Sequence, residues 1–133
     1  MVLHTTWYTI AACLLGGLFI FTSISMLLFP QEMIPPILSG FEYDTLNLDL
    51  LQLTFLGNNI RNIVIGAFII FFAFKDTKVL LILLLMRFFI EFLDLIGGFI
   101  YNPDIQSLIP IFIFILSLEG FLIYKGRQFV KKV

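Results

Sequence analysis

The stretch NIRNIVIGAFIIFFAFKDTKVLLILLLMRFFIEFLD, residues 59–94, decides the fold of this chain. It contains two apolar runs that are separated by the short polar segment KDTK, residues 75–78. Each run belongs to a segment long enough for a helix that crosses about 30 Å of hydrocarbon at about 1.5 Å per residue. Because the connection is so short, the stretch predicts two antiparallel neighbouring helices in a membrane.

The composition of the whole chain points the same way. Of the 133 residues, 60% are hydrophobic and only 13% are charged, whereas about a quarter of the residues in a soluble domain are charged. The sequence therefore predicts a single integral membrane domain that has lipid as its immediate partner. Nucleic-acid binding is not predicted, because the sequence has no basic groove interleaved with aromatic residues.

Apolar runs of about 20 residues, the length of a membrane span, occur four times. The predicted spans are residues 7–29, 52–74, 78–100 and 107–124. The fold class that we expect is all-α, an antiparallel four-helix bundle in the membrane. Residues 30–51 are predicted to form an interfacial loop, either a plain connection or a lid, in which DTLN at 44–47 starts the second helix.

The charges outside the spans indicate the orientation of the chain. The cations lie in the second loop and the C-terminal tail, whereas the first and third loops contain acidic residues and no cation; the cations are Lys75, Lys78, Lys125, Arg127, Lys131 and Lys132. By the positive-inside rule, both termini and the turn at 75–78 are expected in the cytoplasm.

Charged residues also occur inside the spans. Arg87, Glu91 and Asp94 are spaced i, i+4, i+7, so they are predicted to share one face of the third helix. In the second span a polar stripe is predicted with Asn59 turned aside, and its members are Thr54, Asn58, Arg61 or Asn62, Ile65 and Gly66.

An unpaired charge in the middle of a bilayer costs at least about 2.5–3.5 kcal/mol, so these residues are expected to pair inside the bundle. Arg61 is predicted to meet Glu91 or Asp94, because the three lie at similar depths. Arg87 is predicted to reach Glu91 on its own helix. Glu119 in the fourth span is expected to pair with Arg87 or to extend toward Lys125.

Two interpretations of these polar residues stay open. They could fix only the register of the helices, or they could form a site for a small amphipathic ligand such as a quinone or a lipid, with arginine as a forked donor. The candidate ligand-binding or ion-pair residues are Asn58, Arg61, Asn62, Arg87, Glu91 and Asp94. The leading hypothesis is a non-catalytic protein that binds such a ligand or docks to a larger membrane complex.

The alternative hypothesis is an oligomeric transporter or proton-coupled channel, in which Glu91, Asp94 and Glu119 exchange protons. Enzymatic catalysis is not favoured, because no nucleophile is paired with a base. His4 has no neighbouring group of ligands, so no metal site is predicted. The single Cys13 excludes an internal disulfide.

Three motifs, LLFP at 27–30, NIRNIVIGAFIIFFAF at 59–74 and MRFFIEFLDLIGG at 86–98, resemble the DoxX-like superfamily of small four-helix bacterial membrane proteins. The resemblance covers nearly the whole chain and implies a four-helix bundle in a bacterial inner membrane. It also implies that Arg61, Gly66, Arg87 and Asp94 are the characteristic polar residues. One member of the superfamily is associated with a quinone-linked oxidase complex, whereas most members have no established activity. This sequence departs from a redox protein in lacking a second cysteine and a haem-ligating histidine pair.

Overall fold

Four α-helices make up the described part of this protein, which is represented by a computed structural model. The structure describes residues 6–28, 45–101 and 109–131. It describes the side chains in these ranges except those at 45–55, 98 and 101. The helices are α1 (Thr6–Leu28), α2 (Thr45–Lys75), α3 (Thr77–Tyr101) and α4 (Ile109–Lys131). The chain is therefore all-helical over these ranges, in agreement with the expected class.

Two helices extend past the predicted spans. Helix α2 begins at Thr45, within the predicted DTLN start, so the expected loop 30–51 was wrong over residues 45–51. Helix α4 continues to Lys131, beyond the predicted end at 124. Hydropathy marks only the apolar part of a helix, whereas backbone hydrogen bonds continue into polar residues, and cations suit a helix C-terminus. Residues 29–44 and His4 lie outside the described residues.

Asp76 alone separates α2 from α3. Its backbone N–H donates to the carbonyl oxygen of Phe72 at 3.0 Å, and its own carbonyl oxygen accepts from the N–H of Leu80 at 3.0 Å. Its side-chain Oδ1 accepts from the N–H of Lys78 at 2.8 Å. Asp76 therefore closes the last turn of α2 and caps the first turn of α3.

The helices pack in a ring in which each one contacts two others. Helix α1 lies against α2 and α4, and α3 lies against the same two helices. Their shared interior is formed by side chains that recur every three or four residues along each helix. The buried apolar residues are Tyr8, Ala12, Leu15, Phe19, Ile69, Ala73, Leu80, Leu84, Leu122 and Ile123.

Helices α1 and α2 touch through two glycines. A Cβ atom added to Gly16 would lie 2.7 Å from the carbonyl oxygen of Gly66, and one added to Gly66 would lie 2.6 Å from the carbonyl oxygen of Gly16. The two backbones are therefore in direct contact, which only residues without a side chain permit. The neighbouring Gly17 has nothing within 4 Å of such an atom.

The start of α1 is held against α4 by Tyr8. The Tyr8 hydroxyl donates to the carbonyl oxygen of Leu122 at 3.0 Å, and its ring meets the Phe129 ring edge-on with centroids 5.3 Å apart. Gly126 leaves the space that the hydroxyl occupies, because an added Cβ there would overlap the Tyr8 hydroxyl oxygen and Leu81. This contact closes the ring of helices on the side of α1 and α4.

Three of the four described helical segments are long and apolar enough to cross a membrane, namely Thr6–Leu28, Leu56–Lys75 and Ile109–Lys131. Helix α3 is not among them, because Arg87, Glu91 and Asp94 fall within its apolar sequence. Large apolar side chains are exposed on all four helices, including Leu14, Phe68, Leu93 and Phe114. A largely apolar exterior of this kind suits lipid rather than water.

We expect Gly66→Ala to destabilise the protein, because the new methyl group would force the backbones of α1 and α2 apart. Overpacking of this kind costs about 1–3 kcal/mol, which thermal unfolding in detergent followed by circular dichroism would measure. Gly17→Ala is the matched control and should leave the unfolding midpoint unchanged or raise it, since alanine favours helix. Equal unfolding midpoints for the two variants would contradict the contact.

Candidate functional site

Arg87 enters the interior because it continues the buried stripe of α3. Thr77, Leu80, Leu84, Arg87 and Glu91 follow one another at spacings of three and four residues, and all five are buried. At about 3.6 residues per turn, this spacing keeps them on one face of the helix. The packing that places the leucines in the core therefore places the guanidinium and the Glu91 carboxylate there as well.

Three charged side chains meet in this interior, and we call Arg87, Glu91 and Glu119 the inner charge group. The Arg87 Nη2 atom forms an ion pair with Oε1 of Glu91 on the same helix. The Arg87 Nε atom lies 3.9 Å from Oε1 of Glu119 on α4. Both partners were predicted for Arg87 from the sequence, and both predictions are confirmed.

Helix α1 completes the walls of the inner charge group with Phe19. The guanidinium carbon of Arg87 lies 4.4 Å from the centroid of the Phe19 ring. A cation over an aromatic face is attracted by the negative potential of the ring, and the attraction grows when water is excluded. Phe19 was not predicted from the sequence as a residue of this site. Its spacing from Tyr8, Ala12 and Leu15, which are also buried, is the signal that places it on the buried face of α1.

Several polar atoms of the inner charge group have no hydrogen-bond partner within the described ranges. They are Nε and Nη1 of Arg87 and both carboxylate oxygens of Glu119. Their side chains are only 4% and 0% exposed, and the 3.9 Å separation between them is too long for a hydrogen bond. A buried polar atom without a partner costs about 1–3 kcal/mol or more, so these atoms are the part of the group that can accept a further polar partner.

Arg61 and Asp94 form a second pair, which we call the outer charge pair. Arg61 Nη2 lies 3.7 Å from Asp94 Oδ2, and the two side chains are 40% and 52% exposed. The sequence predicted this partner for Arg61 but placed the pair inside the bundle, and the observed exposure corrects that placement. Asp94 follows Arg87 by seven residues, which is about 20° short of two full helical turns. Asp94 therefore falls at the edge of the buried stripe to which Arg87 belongs.

The prediction of which face of α2 points inward was wrong. Asn59, expected to turn aside, is 2% exposed, whereas Asn58 is exposed. The contact between Gly66 and α1 fixes which face of α2 points inward, and Asn59 lies two turns from Gly66 on that face. Asn62 is half-buried, and the predicted stripe member Thr54 lies outside the described side chains.

The six candidate residues therefore do not form one site. Arg87 and Glu91 lie in the interior, Arg61 and Asp94 lie on the outside of α2 and α3, and Asn58 is exposed. Glu119, which was expected to pair with Arg87 and to exchange protons but was not among the six candidates, is the most deeply buried charged residue in the described part of the chain. Its spacing from Leu122, Ile123 and Gly126, which are also buried, is the sequence signal that places it inward.

The inner charge group contains both hydrogen-bond donors and acceptors. A guanidinium offers fixed donors, and the Glu119 oxygens accept or, when protonated, donate. One cation faces two carboxyl groups, so a proton or a bound cation is needed to neutralise the group when it is buried.

Comparison with protein-family models, with curated proteins and with solved structures finds no match for this chain. The resemblance to the DoxX-like superfamily therefore stays a hypothesis that rests on the quoted motifs. Of the four residues that the resemblance implies, Arg87 is in the interior and Gly66 is at the contact with α1. Arg61 and Asp94 form the exposed pair.

We expect Arg87→Met to destabilise the protein strongly, because it leaves Glu91 and Glu119 buried without a cation. Removing one partner of a buried ion pair costs about 3–5 kcal/mol. Arg61→Met is the matched control and should cost less, since its side chain is 40% exposed. Thermal unfolding of both variants in the same detergent measures the loss of stability. Equal losses would show that the difference in burial does not make the two arginines differ in their contribution to stability.

Proposed function

We propose that this chain is a non-catalytic integral membrane protein whose inner charge group binds the polar end of a small amphipathic ligand. The observation that carries the proposal is the set of unpartnered, buried atoms on Arg87 and Glu119. A ligand head group with a carbonyl or hydroxyl oxygen would give Arg87 Nη1 its acceptor and Glu119 a partner. Its apolar tail would then lie among the apolar side chains that surround the group.

The proposed setting is four antiparallel membrane spans with both termini in the cytoplasm of a bacterium. Three apolar helices of membrane length support it, as does the excess of lysine and arginine near the turn at 75–78 and at the C-terminal end. Helix α3 is the proposed fourth span. The burial of Arg87 and Glu91 supports this role, because their charges are shielded from lipid by the other helices.

Quinones and lipids are the ligand classes that fit this chemistry. The carbonyl oxygen of a quinone can accept a hydrogen bond from a guanidinium. The hydroxyl group of the reduced form can also donate a hydrogen bond to a carboxylate. A lipid head group offers neutral ester oxygens to the same donor. In the other form of this proposal, the chain docks to a larger membrane complex. A polar group of that complex, rather than of a small ligand, would then bind Arg87.

A second candidate function is proton-coupled transport. The observation that favours it is the imbalance of the inner charge group, where one guanidinium faces two buried carboxyl groups. A carboxyl group that must be neutralised by a proton can carry that proton when the protein changes conformation. Glu91 and Glu119 would be the carriers, with Asp94 on the exposed side as a further exchanging group.

We expect a short-chain quinone such as decylubiquinone, or else a phospholipid, to raise the thermal unfolding midpoint of the wild-type protein in detergent. A ligand present at 100 times its dissociation constant stabilises a protein by about 2.7 kcal/mol. Glu119→Gln should lower the affinity, since the amide has nearly the shape of the carboxyl but cannot carry its charge or proton. Mass spectrometry of molecules extracted from the purified protein gives an independent measurement.

The matched control for ligand binding is Arg61→Gln, which changes an exposed arginine and should leave binding unchanged. Circular dichroism checks that each variant stays helical before binding is measured. If Arg87→Gln and Glu119→Gln stay helical and retain the same molecules with the same affinity as wild type, the inner charge group is structural only. That result would leave the helix arrangement intact and remove the proposed ligand site.

For the transport candidate, we expect a pH gradient across liposomes that contain the protein to collapse faster than across empty liposomes. Glu119→Gln should slow the collapse, because an amide does not exchange a proton in this range, whereas the exposed Lys75→Gln should not. A pH-sensitive dye inside the vesicles measures the rate. Equal rates for protein-containing and empty vesicles would exclude proton-coupled transport.

A further inference from the structure

The outer charge pair lies on a partly exposed face of α2 and α3. We call this the outer charge face and define it by Gly57, Asn58 and Arg61 of α2 and by Asp94 and Gly97 of α3. Asp94 lies about 10 Å before the end of α3 at about 1.5 Å per residue. In the proposed membrane setting, on which this inference rests, these charges therefore lie within the depth of the bilayer.

The outer charge pair is poorly satisfied within one chain. The ion pair is 3.7 Å long and its two side chains are 40% and 52% exposed. The Arg61 Nε atom is buried and has no hydrogen-bond partner in the described ranges, and the same is true of Asn62 Oδ1. Ionisable groups at this depth normally face protein rather than lipid, because hydrocarbon neither hydrates nor screens them.

The backbone around the outer charge pair is open to close approach. A Cβ atom added to Gly57, one turn before Arg61, would meet nothing within 4 Å, and the same holds for Gly97, one turn after Asp94. In contrast, Gly16, Gly66 and Gly126 are filled by neighbouring helices. Small residues with free space beside a polar pair are the pattern through which membrane helices pack on other helices.

We propose that the outer charge face binds a second copy of this chain, related by a two-fold axis perpendicular to the membrane. Such an axis places α2 of one copy against α3 of the other at the same depth. Arg61 and Asp94 lie at one depth, since they are in contact, so each arginine meets the aspartate of the other copy. Two ion pairs within chains then become a closed group of four charges, shielded from lipid on both sides.

Charge complementarity selects the second copy as the occupant. The face carries one cation and one anion side by side, so it is neutral as a whole and complementary to its own two-fold image. An unrelated partner would need the opposite order of charges at the same depth and spacing.

The test mixes two charge variants of the full-length protein. Arg61→Asp puts two acids on the face, and Asp94→Arg puts two cations there, so each variant alone should dimerise at least about tenfold more weakly than wild type. An equimolar mixture should dimerise again, because every contact between the two different chains then joins opposite charges. The pairs within each chain stay broken in the mixture, so recovery reports only contacts between chains.

The measurement is subunit counting by single-molecule photobleaching of labelled chains in bilayers, with the exposed Lys75→Asp as the matched control that should dimerise like wild type. Resistance of the wild-type protein to alkaline extraction from membranes is checked first, since its failure would remove the membrane setting itself. A monomeric wild type in bilayers overturns the dimer, as does a mixture that stays as weakly associated as its components. Both results leave ligand binding at Arg87 and Glu119 untouched.

Discussion

The direct contact between Gly16 and Gly66 fixes how α2 is rotated in the structure. Because the backbones meet there, only one face of α2 can point toward α1, and that face also carries Asn59, Ile69 and Ala73. Arg61 lies well away from it, so its guanidinium is directed to the outside, where Asp94 meets it. One contact between two residues without side chains thus determines which polar groups of α2 are buried and which are exposed.

Around Arg87 the opposite arrangement holds. Its position on the stripe of Leu80 and Leu84 carries a permanent charge into the interior, where α3, α4 and α1 contribute Glu91, Glu119 and Phe19 to it. These contacts neutralise the guanidinium but do not use all its donors. A group needed only to fix helix register would be expected to satisfy its own polar atoms, because each unsatisfied one is costly in a low dielectric. Binding of the proposed ligand, or of a proton by a carboxyl group, would offset the cost of the unpartnered atoms of Arg87 and Glu119.

Much of this organisation could be predicted from local patterns. The spacing of Arg87 and Glu91 predicted their ion pair, the DTLN segment predicted the start of α2, and the polar residues at 75–78 predicted the break at Asp76. The prediction for Asn58 and Asn59 was wrong, because adjacent residues differ by about 100° around a helix and hydropathy alone does not define the inward direction. Phe19 was missed for a related reason: its spacing from Tyr8, Ala12 and Leu15 places them on one face of α1, but hydropathy alone does not show that this face points inward.

What the sequence determined by itself was the type and approximate limits of the four helices in the described ranges, because apolar run length and turn residues act along the chain through backbone geometry. It also determined that charges within apolar segments would find partners of opposite sign. Only the tertiary structure decided that these charges form two groups, one buried around Arg87 and one exposed at Arg61 and Asp94. That division depends on how far each helix is rotated about its axis, and rotation is fixed by contacts between residues distant in sequence, such as Gly16 with Gly66.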